Sequence, residues 1–107
     1  MTKYKVDLKG LYWESPMVGI RFGVIGDNRK QLKVVEYSRE MEPHWCEKGH
    51  VGYVLEGRME ITFGGKGGDK VIFNSGDGLC IPDGAEHRHM AKILSEKAVV
   101  IMAENTK

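Results

Sequence analysis

The sequence predicts an all-β domain, a sandwich or closed barrel of about nine short antiparallel strands. Three observations carry that expectation. Short runs rich in Val, Ile, Tyr and Phe recur along the chain, separated by turn residues drawn from its 14 glycines and 3 prolines. Several runs alternate, as in Arg58-Met59-Glu60-Ile61-Thr62-Phe63, where Met59, Ile61 and Phe63 share one face. No window of about 12 residues keeps a helical period, so helices are absent or brief.

The strands follow in order. YKVDL (4–8) opens the chain, and VGIRFGVI (18–25) ends at the turn GDNRK. QLKVVEYS (31–38) ends at REMEP, and HVGYVLE (50–56) is joined to RMEITF (58–63) by a Glu-Gly turn. The cluster GGKGG (64–68) lacks the pattern of a phosphate cradle and reads as a mobile hairpin turn before DKVIFN (69–74). NSGDG leads to GLCIP (78–82), whose Pro82-Asp83-Gly84 turn suits a proline second and a glycine where φ is positive. HRHMAKIL (87–94) and AVVIMAE (98–104) complete the set.

With 107 residues there is room for one core, so 1–107 is a single domain without linker or internal repeat. A net charge of +1, with Lys and Arg scattered, argues against nucleic acid as a partner. No run approaches the roughly 18–20 apolar residues that span a bilayer, so no membrane partner is expected. Charges interrupt the first residues, MTKYKVDLKGLYWESP, which therefore lack a signal-peptide core; the expected location is the cytoplasm. There a disulfide between Cys46 and Cys80 is unfavoured.

Three of the six histidines and cysteines fall in EPHWCEKGHVGYVLEG, 42–57. Alternation points His44 and Cys46 to one side and Trp45 to the other. Lys48 and Gly49 can bend the chain so that His50 returns to the same interior, followed by Gly52 and Val54, with Tyr53 and Leu55 opposite. His87 opens a later strand, and His89 and Ala91 lie on its side. Cys80 reads as ordinary core, and Arg21 and Glu36 as solvated. Each histidine alone could be one with a single hydrogen bond, Cys46 an inert buried thiol, and Glu47 a substitute oxygen ligand pointing away.

These residues resemble the two motifs of the cupins. His44, Cys46, His50 and Gly57 fall at the spacings of the first motif (38–57), and Gly76, Pro82, Gly84 and His87 at those of the second (76–91). Ser38 and Ala91 stand where the family has glycine and asparagine, neither of them a ligand place. Cys46 stands for the usual second histidine and His50 for the usual glutamate. The resemblance implies a double-stranded β-helix, or jelly-roll, barrel of two antiparallel sheets. It also implies one divalent metal held by His44, Cys46, His50 and His87. All four remain competent donors, which random decay of a lost site would not be expected to leave.

Three imidazoles and a thiolate suit zinc best, with iron, nickel or copper able to bind, whereas magnesium and calcium prefer oxygen. Four protein donors around tetrahedral zinc would close the site, leaving a structural staple; open positions would support chemistry. The resulting expectation is a small-molecule enzyme of dioxygenase or isomerase type, with His89 and Tyr53 as groups that move a proton. The alternatives are a non-catalytic module that binds a sugar or metabolite, and a closed structural metal. Family analogy also implies a homodimer through MVGIRFGVIG and LYW.

Overall fold

A computed structural model describes residues 4–64 and 68–104. The inner part of the glycine turn, 65–67, lies outside the described residues. Nine strands form two antiparallel sheets. The larger has the order β1-β2-β3-β9-β4-β7, with β1 Glu14–Met17, β2 Ile20–Gly26, β3 Gln31–Ser38, β4 His50–Glu56, β7 Gly78–Ile81 and β9 Lys97–Glu104. The smaller has the order β6-β5-β8, with β5 Arg58–Phe63, β6 Lys70–Asn74 and β8 His89–Ile93. This is the jelly-roll arrangement expected, with the difference that the two sheets are not closed on each other by strand pairing.

The core sits between the sheets and follows the alternation. Val35, Val54, Val100 and Met102 of the large sheet meet Met59, Ile61 and Ile93 of the small one. Val54 and Val100 are fully buried, and each such side chain contributes about 1.5–3 kcal/mol. Tyr53 and Leu55 turn outward, as their odd register requires. In β7 the same rule buries Leu79 and Ile81 and exposes Cys80, which is therefore not core.

The N-terminal third departs from expectation. Residues 4–8 form no strand; a single 3-10 turn, Leu8–Gly10, begins at the last of them, and the edge strand is Glu14–Met17. Pro16 is tolerated there because an edge strand leaves one row of N–H groups unpaired. The segment before it covers the outer face of the large sheet. Leu11 lies over Gly23, where an added Cβ would fall 2.9 Å from Leu11 Cδ1. Gly23 is opposite Val34, which is why Val34 is buried although its neighbour Val35 faces the other way. On that outer face Arg21 makes a two-pronged ion pair with Glu36, at 3.0 and 3.2 Å, and stacks on Trp13.

Candidate metal centre

The site begins with backbone pairing. Between β3 and β4 the chain crosses to the free edge of β8, where Cys46 and His89 form an isolated antiparallel bridge. Cys46 N–H donates to His89 O at 2.8 Å, and His89 N–H to Cys46 O at 2.9 Å. On its other side His89 is opposite Phe63 of β5. Residues directly opposite in an antiparallel ladder present their side chains to one face. Phe63, His89 and Cys46 therefore form a row pointing inward. Trp45 and Arg88, one residue along, point outward and stack at 5.7 Å against Gly64.

His50 is brought to this row by Gly49. The Gly49 N–H donates to Asp83 Oδ1 at 2.6 Å, and the Gly84 N–H to Glu47 O at 2.9 Å, so the strand entry is clamped on the turn after β7. A Cβ on Gly49 would run into the Ile81 carbonyl and lie 2.6 Å from the Pro82 carbonyl carbon. Only glycine permits this approach. Gly84, with φ of 122°, turns the chain on the facing side.

The ligand atoms of Cys46, His50 and His89 all lie within 4.8 Å of one another. The His50 and His89 rings meet edge to face with centroids 5.2 Å apart. His89 is 4% exposed, and its Nδ1 is 3.1 Å from His87 O. A carbonyl can only accept, so Nδ1 is the donor, and in the neutral ring Nε2 carries the lone pair. That Nε2 is buried and has no hydrogen-bond partner. Leaving such an atom unsatisfied costs about 1–3 kcal/mol, and coordination to a cation would remove that cost. One ring nitrogen held by a carbonyl and the other aimed at two further donors is how histidine ligands are oriented. The three residues thus fit a transition metal.

The four residues that the motif spacing assigns as ligands are treated unequally. Cys46 and His50 belong to the donor group; His44 and His87 do not. His44 is exposed but lines the same cavity, its Nδ1 at 3.2 Å from Glu42 O. His87 ends a 3-10 turn, Ala85–His87, and serves the group through its backbone carbonyl. His89, which the motif spacing does not assign as a ligand, lies in the donor group. Tyr53, proposed from sequence as a proton carrier, is 47% exposed on the outer face and does not line the cavity. Glu47 is exposed.

Tyr37 does line it. Burial, and then the charge of Cys46, push its phenol well above the usual range, so the hydroxyl stays protonated. Its position could have been found from β3, where Lys33, Val35 and Tyr37 alternate onto one face. The cavity has a volume of about 310 Å³ and is otherwise lined mostly by apolar residues, among them Phe22, Val35 and Met102.

Burial, the neighbouring His89, and the charges of Lys48 and Lys33 hold His50 down at about 4, from an ordinary 6.5, against a smaller opposing effect of Asp83. His50 is therefore neutral near pH 7, its lone pair available. The unfolded chain takes up a proton near 6.5 that the native state refuses until about 4. This contribution to stability is complete above 6.5 and is lost as pH falls across that window. Denaturant titrations of metal-free protein at about pH 7.5 and about pH 4.5 should show a larger loss for wild type than for His50→Gln. Equal losses would mean that His50 titrates normally.

A family model described as a cupin domain matches residues 32–103. The chain belongs to the cupin family. Among solved structures, this cupin is similar to KdgF from Halomonas sp., with 21% identity over 100% of this chain and 96% of that one, and a TM-score of 0.72. A cupin-2 domain containing protein from Shewanella frigidimarina is 25% identical over 78% of each chain, with a TM-score of 0.62. The hydroxypropylphosphonic acid epoxidase of S. wedmorenis, 12% identical, is matched over 88% of this cupin and 55% of its own chain, with a TM-score of 0.65. No match is found among curated proteins. Among the described residues, no helix is long and apolar enough to cross a membrane.

Proposed function

We propose that this cupin is a small-molecule enzyme working through one divalent transition metal held by Cys46 Sγ, His50 and His89 Nε2. The observation that carries the reading is the buried, partnerless Nε2 of His89, grouped with two further soft donors beside a cavity. Three protein donors leave room for water or substrate, as catalytic sites do, whereas a structural zinc has four. His44, on the same cavity wall, is the candidate for an additional, exchangeable donor. The thiolate and imidazoles suit zinc best, with iron, nickel and copper also compatible.

When bound, such a metal supplies Lewis acidity, and with iron or copper access to oxygen chemistry. The chain's part is to hold and orient. The Tyr37 hydroxyl, kept protonated by burial, is suited to donate a hydrogen bond to a bound molecule rather than to act as a base. Phe22, Val35, Met41 and Met102 give the cavity apolar walls beside the donors. Isomerase and dioxygenase types both suit this arrangement, and the fold also hosts an epoxidase. Among the described residues that line the cavity there is no Asp or Glu to serve as a base, which supports a second reading, a metal-bearing binding module. Exposed Tyr12, Val18 and Val24 near β1 and β2 support pairing of two copies on that side.

The test is cobalt substitution. One cobalt per chain should give a sulfur-to-metal charge-transfer band that Cys46→Ser removes, and the visible spectrum should shift when azide is added. A band insensitive to azide would point to a closed structural site. Failure to bind cobalt or zinc would end the proposal. Turnover of small molecules that stops on chelation would separate enzyme from binding module.

A further inference from the structure

One wall of the cavity is built by the paired strands β2 and β3. Ile20 is opposite Tyr37 and Phe22 opposite Val35, and directly opposed residues present their side chains to one face. All four line the cavity, and Met41, Ala91 and Met102 add further apolar wall. Beyond the donor group and His44, the polar lining is thin. Tyr37 supplies a hydroxyl. Lys33 and Lys48 have partners of their own, Lys33 lying 4.4 Å from the centroid of the Phe22 ring, and neither is needed to hold a ligand. Among the described lining residues there is no Asp, Glu, Asn, Gln, Ser, Thr or Arg. A sugar fits such walls poorly. It carries a hydroxyl on nearly every carbon, and each one taken out of water without a partner costs free energy.

We infer that the cavity takes a small, mainly apolar molecule with one oxygen function, and not a sugar. Its hydrocarbon lies against Ile20, Phe22, Val35 and Met102, and its oxygen accepts a hydrogen bond from the Tyr37 hydroxyl. Burial of hydrocarbon drives such binding, and a single well-placed polar group fixes the orientation. Tyr37 suits that part, because its ring is packed against the core while it lines the cavity. The volume of about 310 Å³ sets the size. An apolar cavity of about 150 Å³ holds a molecule as large as benzene, so one six-membered ring fits here with room for a substituent. The inference rests on the proposed reading of this cavity as a small-molecule site, and its test reads binding separately from the metal.

Cyclohexanol and inositol decide it, since they share one carbon ring and differ in carrying a single hydroxyl or one on every carbon. In zinc-loaded protein labelled with carbon-13 at the methionine methyls, cyclohexanol should move the Met41 and Met102 signals to saturation. The signal of Met17, exposed on β1, should stay in place. Inositol should bind at least about tenfold more weakly, the size of a few unmet hydroxyls. Tyr37→Phe should weaken cyclohexanol about fivefold, the size of one neutral hydrogen bond, and leave the cobalt charge-transfer band unchanged. Inositol binding as tightly as cyclohexanol, no saturable shift with cyclohexanol, or shifts that spare Met41 and Met102 overturn the inference while the metal reading stands. Cyclohexanol affinity unchanged by Tyr37→Phe overturns the part given to the hydroxyl. Saturable cyclohexanol binding at Met41 and Met102 in a protein that takes up no zinc would uphold this inference and end the metal reading.

Discussion

Replacing His89 with leucine should abolish the difference in melting temperature between metal-loaded and metal-free protein. In the wild type a metal at 100 times its dissociation constant stabilises the fold by about 2.7 kcal/mol, worth roughly 10–20 °C in a domain of this size. Leucine is close to histidine in volume, so the core around Phe63 should close over it. Two effects then oppose one another in the metal-free state. The buried Nε2 and its desolvation cost disappear, but so does the hydrogen bond to His87 O. They are of similar size, about 1–2 kcal/mol, and metal-free His89→Leu should melt within a few degrees of the metal-free wild type. A satisfied core histidine would behave differently, with a clear loss in the metal-free state and no metal-dependent difference to begin with. Scanning calorimetry of both proteins with and without zinc distinguishes the two. The companion variant His87→Leu keeps its backbone carbonyl and should retain the metal-dependent rise.

The second large effect is expected at a residue with no side chain. Gly49→Ala should destabilise the protein by about 1–3 kcal/mol, the usual result of forcing extra volume into a packed place, and should also lower metal affinity. The added Cβ meets backbone on three sides: the Ile81 carbonyl, the Pro82 carbonyl carbon and the Asp83 nitrogen. Backbone cannot rotate away as a side-chain tip can. Relief requires the strand entry to withdraw from the β7 turn, which breaks the Gly49–Asp83 hydrogen bond and carries His50 away from Cys46 and His89. Urea midpoints together with cobalt titration check both parts. Gly10→Ala, where a new Cβ meets nothing within 4 Å, is the control. A Gly49→Ala protein with the wild-type midpoint and full cobalt affinity would show that the clamp does not position the site.

Much of this molecule is legible along the chain. The period of two in 58–63 places Met59 and Ile61 inside, and the same rule turns Tyr53 outward. Motif spacing brings Cys46 and His50 into the donor group. Other features are not legible there. A period of two says that His87 and His89 share a face but not which lies deeper, because depth depends on where the strand begins. Here a 3-10 turn takes up His87, and β8 starts at His89. The opening residues 4–8 look like a strand by composition, yet they join neither sheet. Pro16 disguises the true edge strand.

Reading along the chain is enough for the faces: which side chains alternate inward, where glycine and proline turn the chain, and that soft donors sit at two separated points. Local sterics and alternation act between near neighbours, so they can be read from near neighbours. Which donors meet is settled by long-range strand pairing. The bridge between Cys46 and His89 joins residues 43 positions apart through two backbone hydrogen bonds. Register between distant strands is set by the packing of the whole core, and no local pattern records it.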